Sequence, residues 1–225
     1  MKTTIFLLVL FVGGGNILFA EENKFLKEYM NVIESKDGNK IEFTIRDYKE
    51  TELLSSSLGK FIKKEKDPYK KAMLIYLAGR LKLENTTLLL IDTLDFVYRD
   101  PNASSLRMAR WYYFPSIGAL SNIGMKSVKY LVYEVADRSC NYPDILLLFA
   151  IRYVIRSNIM DIDSVLFTKL ILEGAYKEEE NSQWKENLKK AIDLISQPDY
   201  LEIENKYMRS EINKAQEKSK VPGNS

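Results

Sequence analysis

The sequence predicts an all-α protein built from short, paired helices. Apolar residues recur at the three- and four-residue spacing of a helix face, as Val128, Leu131 and Val135 do. A polar or glycine interruption divides the longest apolar stretches into two segments. Five of the six prolines lie at the boundaries of such segments, where proline is tolerated at the start of a helix: 68, 101, 115, 143 and 198. Together these signals favour many short helices.

The clearest pairing lies between residues 67 and 137. An apolar segment opened by Asp67 and Pro68 is interrupted at residues 85–87 and followed by a second apolar segment. The same arrangement recurs after Pro115, with Gly124 as the interruption. The first helix of each pair is apolar on more than one side, which indicates burial between neighbouring helices. Two short helices joined by a tight turn, and then repeated, are typical of a helical-repeat protein.

The two copies resemble HEAT-type repeats. Leu81 and Ile123 are the last apolar residues before the turn and lie 42 residues apart, as do Leu89 and Leu131 after it. A third, looser copy spans residues 144–176, so the resemblance covers about half of the chain. It implies a short right-handed α-α superhelix of HEAT-like helical hairpins and a bias toward binding. It implies no catalytic residue.

The pattern divides the chain into four parts. Residues 1–20 are predicted to be a signal peptide, 21–66 an N-terminal helical segment, 67–197 the HEAT-like repeats, and 198–225 a C-terminal capping helix with a disordered tail. Within the second part, residues 41–46 alternate apolar and polar side chains, as a strand does. Because a lone strand has no partner, the alternative is an extended entry into the next helix.

The first twenty residues have the organisation of a secretory signal. Lys2 precedes an apolar core at residues 5–12, and Ala20 precedes the acidic Glu21. We expect cleavage after Ala20, which leaves no membrane span and a periplasmic or secreted protein. The alternative is an uncleaved anchor, but residues 5–20 are shorter than the roughly 20 residues that a spanning helix needs.

Composition excludes several kinds of chemistry. The chain has no histidine and a single cysteine, Cys140, so Ser-His-Asp catalysis, Cys-His catalysis and thiolate metal clusters are excluded within it. We expect no metal site and no cofactor. With 33 basic and 31 acidic residues the charge is balanced, which disfavours nucleic acid as a partner. We expect Cys140 to be a buried free thiol; a functional thiol or an intermolecular disulfide is the alternative.

The candidate binding residues lie mainly in an aromatic and cationic stretch. Arg107, Arg110, Trp111 and Tyr113 combine guanidinium groups with rings, which suits stacking on a peptide, a glycan or an anion. Arg152 joins them if its helix lines a groove, where it could meet an acidic partner. The alternative is that the rings pack in the core between repeats while the arginines extend to solvent.

We therefore expect a secreted or periplasmic protein-binding or scaffold module rather than an enzyme. One alternative is a carboxylate-based, glycan-active enzyme on a helical scaffold, which needs two carboxyl groups across a sugar ring. Its candidate carboxylates are Asp95, Glu134, Asp137 and Asp144. The other alternative is an inhibitor or immunity-type protein of the cell envelope, which differs from the first hypothesis only in its partner. The oligomeric state and the identity of the partner stay open.

Overall fold

A computed structural model describes residues 24–46, 52–98, 113–138 and 141–220. The predicted signal peptide, Cys140 and the last five residues of the chain lie outside these ranges. The secondary structure of the described residues is entirely helical, which confirms the all-α prediction. The chain divides into two compact units, Met1–Thr86 and Thr87–Ser225.

The first unit is organised around its fourth helix. Its elements are α1 (24–34), α2 (Gly38–Arg46), α3 (Glu52–Lys64), α4 (Pro68–Arg80) and a 3₁₀ turn, Glu84–Thr86. Asp67 caps α4 by accepting the backbone N–H groups of Tyr69 and Lys70, and proline follows at the first helical position. α3 packs against α4. The hydroxyl of Tyr29 in α1 donates to the carbonyl of Met73 at 2.9 Å. The sequence assigns α4 to the repeat region, yet it packs inside this unit.

Residues 41–46 belong to helix α2, so both extended interpretations of this segment are wrong. Asp37 accepts the N–H groups of Asn39 and Lys40 and starts the helix before the alternation begins. Ile41 and Ile45 are buried four residues apart on one face, whereas Phe43 is exposed. An alternation over six residues fits a helix with a buried four-residue spacing as well as a strand.

The second unit is organised around α8. Its helices are α5 (Thr87–Ile91), α6 (Pro115–Ile123), α7 (Lys126–Asp137), α8 (Asp144–Asn158), α9 (Ser164–Glu178), α10 (Ser182–Ile195) and α11 (Tyr200–Lys220). α8 packs against α6, α7, α9, α10 and α11. Its apolar residues are buried on several sides, as a helix surrounded by others requires. No described helix is both long enough and apolar enough to cross a bilayer.

Gly124 ends α6 and permits the turn into α7. Its φ of 95° lies in a region that favours glycine, and a Cβ there would meet the side-chain oxygen of Asn158 at 3.3 Å. The amide of Asn158 donates to the carbonyl of Ser121 at 3.0 Å. The C-terminal ends of α6 and α8 therefore lie together.

The position of α10 departs from a uniform stack of successive hairpins. In such a stack each helix packs on its hairpin partner and on its equivalents in the adjacent hairpins. α10 packs instead against both α7 and α9, and more lightly against α8. The buried Asn187 of α10 donates to the carbonyl of Ala136 at 2.7 Å and so caps the end of α7. The HEAT-like superhelix stays a prediction.

Candidate functional site

The binding residues predicted from the sequence differ in where they lie in the structure. Arg107, Arg110 and Trp111 lie outside the described residues. Tyr113 is half-buried, and its carbonyl accepts the backbone N–H of Tyr98 at 3.1 Å. This hydrogen bond joins the described residues on either side of 99–112.

Arg152 finds an acidic partner within the chain. Its Nε donates to Glu204 Oε2 at 2.9 Å, its Nη2 donates to Oε1 of the same carboxylate, and its Nη1 lies 3.4 Å from the hydroxyl of Ser164. Both charged side chains are almost completely buried between α8 and α11. Arg152 therefore pairs inside the fold and does not belong to an exposed binding surface.

Partly exposed rings lie on α10 and on two helices that pack against it, α7 and α9. We call Tyr130, Tyr133, Tyr176 and Trp184, together with Lys129 and Lys185, the aromatic surface. The rings of Tyr133 and Trp184 meet edge to face, with centroids 5.1 Å apart and planes at 84°. Tyr133 is 47% exposed and Trp184 is partly exposed.

The two lysines of the aromatic surface lie at cation–π distance from its tyrosines. Lys129 Nζ is 4.7 Å from the ring centroid of Tyr130, and Lys185 Nζ is 5.1 Å from that of Tyr176. Lys185 also donates to the carbonyl of Glu179 at 3.3 Å, which holds it at the turn between α9 and α10. The surface therefore presents large rings and positive charge side by side.

The tyrosines of α7 are exposed because of their helical register. Val128, Leu131 and Val135 bury one face of α7, and Tyr130 and Tyr133 fall three residues apart on the other side. Neither tyrosine is among the residues that the sequence predicted for binding. Their i, i+3 spacing, away from the buried face of α7, is the signal that could have found them.

Three of the four candidate carboxylates of the glycan-enzyme alternative occupy ordinary structural positions. Both oxygens of Asp144 accept from Arg138 Nη2 at 2.7 Å, which closes the connection between α7 and α8. Asp95 accepts from the hydroxyl of Tyr142 at 3.2 Å, and Glu134 is buried in α7. Within the described ranges, no group of three histidine, cysteine, aspartate or glutamate side chains could hold a metal ion. The enzyme alternative stays a prediction.

No protein-family model matches the chain, and neither a curated protein nor a solved structure is significantly similar to it. Its function must therefore be inferred from its own side chains. Among the described residues, the aromatic surface combines exposure with the residue types that most often bind partners.

Proposed function

We propose that this chain is a secreted or periplasmic, non-catalytic protein-binding module, made of helical hairpins of the HEAT-like kind, that holds its partner on the aromatic surface. The observation that carries the proposal is the Tyr133–Trp184 pair, in which Tyr133 is 47% exposed and Trp184 is partly exposed. Tyrosine and tryptophan are enriched among the residues that dominate binding energy, because rigid rings bury a large area at a small cost in side-chain entropy.

The chemistry of the surface favours a protein partner that offers carboxylates beside apolar groups. Lys129 and Lys185 provide the positive charge that would steer and orient such a partner. The rings supply the apolar contact area. The same chemistry fits an envelope inhibitor or immunity-type protein, and the identity of the captured partner distinguishes that role from a scaffold.

The secretory part of the proposal is supported by the order of Lys2, the apolar core at residues 5–12 and Ala20. The full chain, carrying a C-terminal tag and expressed in its own organism, should be recovered with Glu21 as its first residue. Intact mass spectrometry measures this directly. A protein that retains Met1 and sediments with membranes would support the uncleaved-anchor alternative instead.

The binding part is tested by crosslinking capture from the cell-envelope fraction with the same tagged chain. We expect one dominant protein in stoichiometric amount, reduced about tenfold or more by Tyr133→Ala, as truncation of an interface hot spot does. Phe43→Ala is the matched control, because Phe43 is an exposed ring that belongs to the first unit and is not a member of the aromatic surface.

Equal capture by the wild-type chain and Tyr133→Ala would remove the aromatic surface as the binding site. Retention on cell-wall glycan with no captured protein would favour the glycan-active alternative. Circular dichroism of each variant, compared with the wild-type spectrum, separates lost binding from lost folding.

A further inference from the structure

The outer face of α9 exposes a row of apolar positions. Leu166 is 52% and Leu170 is 51% exposed, whereas Ser164, Thr168 and Leu172 are buried on the opposite face of the helix. One turn further on, Gly174 continues the line, and a Cβ built on it would meet nothing within 4 Å. We call Leu166, Leu170 and Gly174, which follow one another every four residues, the α9 row.

The α9 row ends in charges of opposite sign. Asp163 caps the N-terminus of the helix by accepting the N–H groups of Val165 and Leu166. Lys177 lies in the last turn and is exposed. Between them, Lys169 and Glu173 form an i, i+4 ion pair at 3.8 Å along the side of the row.

These positions are complementary to themselves when two copies of α9 run antiparallel. In a two-fold interface, if residue i contacts residue j, then j contacts i. The register that places Leu170 opposite its own copy also places Leu166 opposite Gly174. A large side chain then meets the one position of the row that has no side chain. The same register places Asp163 opposite Lys177, so the end charges are paired as well.

We propose that the chain forms a two-fold homodimer through antiparallel packing of the α9 row. Rows of residues spaced by four pack against each other in the commonest class of helix–helix contact. The dimer removes two exposed leucines per chain from water. Met160, which is 89% exposed just before α9, lies at the end of the row that meets the C-terminal turn of the second copy. The proposal is independent of the aromatic surface and its partner.

The dimer should be weak and concentration-dependent. A single pair of short helices approaches only the lower limit of a specific interface, which is about 1,000 Å² of total buried area. Sedimentation velocity of the purified full chain, over concentrations from about 1 µM to about 1 mM, covers the corresponding affinities. We expect the sedimentation coefficient to rise from that of a monomer to that of a dimer and then to stop rising, because a two-fold interface is closed.

Leu170→Glu tests the centre of the row. Two glutamates placed opposite each other in an apolar contact should keep the variant monomeric over the whole range. Leu201→Glu is the matched control, since Leu201 is a leucine of 47% exposure in α11, outside the row. It should dimerise as the wild type does. A wild-type chain that stays monomeric at the highest concentration would overturn the proposal, as would equal dimerisation of Leu170→Glu.

Gly174→Leu distinguishes an interface of complementary shape from nonspecific hydrophobic association. A Cβ at this exposed position meets nothing within 4 Å in the monomer, and leucine replaces a poor helix former, so the thermal midpoint of unfolding should rise. In the dimer it would collide with Leu166 of the second copy and weaken association about tenfold to a hundredfold. If association is unchanged or stronger, the row binds something other than a second α9 in this register, and the proposal is wrong.

Discussion

Each unit contains a glutamate that accepts hydrogen bonds from both a tyrosine hydroxyl and an arginine. The surface cluster consists of Glu42, Tyr76 and Arg80 in the first unit, and the buried cluster consists of Glu204, Tyr200 and Arg152 in the second. The residue types are the same, but the surroundings are opposite. The charged side chains of the surface cluster are each 44% exposed, whereas those of the buried cluster are 12% and 2% exposed.

Each cluster joins two helices of its own unit. In the surface cluster, Arg80 of α4 donates to Glu42 of α2 at 2.7 Å, while solvent reaches both charges. In the buried cluster, Glu204 of α11 accepts from Arg152 at 2.9 Å and from Tyr200 at 3.0 Å. The buried residues of α11 lie along one face, and this face packs against α8. The buried cluster thus fixes where α11 lies on α8.

The comparison shows that burial, more than residue type, decides what such a cluster contributes. An exposed ion pair exchanges hydration for a weak attraction in a medium of high dielectric constant, so the net gain is small. In a buried ion pair, the attraction between the two charges must offset a large loss of hydration. Removal of one partner leaves an uncompensated charge in the interior. The two clusters should therefore respond very differently to the same substitutions.

The largest expected effect comes from Arg152→Ala, which leaves the carboxylate of Glu204 buried without its cation. We expect the free energy of unfolding of the second unit to fall by about 3–5 kcal/mol. Trp184 lies in α10 of the second unit, and the sequence of the first unit contains no tryptophan. Tryptophan fluorescence during urea unfolding therefore follows this unit specifically.

The control for Arg152→Ala replaces both charged partners. The double variant Arg152→Met, Glu204→Leu removes the charges together and should recover much of the lost stability, because well-packed apolar residues can substitute for a buried ion pair. A loss below about 1 kcal/mol in the single variant would mean that the buried cluster behaves like an exposed pair.

An intermediate effect is expected at alkaline pH. Burial raises the pKa of Tyr200 and, in the first unit, that of Tyr76, and the neighbouring glutamate adds to the rise in each case. Since the neutral phenol is favoured in the folded protein, this contribution is fully present below the unfolded pKa of about 10. It is lost as the pH rises toward the folded pKa.

The fluorescence-detected unfolding free energy of the second unit should therefore be steady up to about pH 9 and decline above about pH 10. Tyr200→Phe should make this decline shallower. Tyr76→Phe is the matched variant of the surface cluster. It should leave the unfolding free energy measured by fluorescence unchanged and alter only the value measured by circular dichroism, which follows both units. If the unfolding free energy declined equally with alkaline pH in the wild type and in Tyr200→Phe, Tyr200 would not be a cause of the decline.

The smallest effect is expected for Arg80→Ala in the surface cluster. Because solvent screens both charges, the variant should lose no more than about 1 kcal/mol of unfolding free energy. Urea unfolding followed by circular dichroism at low and at high salt measures this loss, which should shrink further when salt screens the pair. A loss as large as that of Arg152→Ala would show that exposure does not separate the two clusters.

Local sequence signals predicted a helix end correctly where all the groups that form that end lie within a few residues of one another. Asp67 and Pro68 predicted the start of α4, and Gly124 predicted the end of α6. The alternation at residues 41–46 failed because six residues are too few to separate a two-residue from a four-residue period. The aromatic surface was not predicted, since its rings come from three helices and the chain spacing does not say which helix faces adjoin.

The sequence by itself determined the helical class, the position of many helix ends and the absence of histidine chemistry. A helix cap is formed by a side chain and backbone groups two or three residues away, so it needs no tertiary contact. Only the tertiary structure decided that Arg152 meets Glu204, 52 residues later, or that α10 lies against α7. Such pairings depend on how buried faces pack together, and a helical pattern states only that a face is buried, not what covers it.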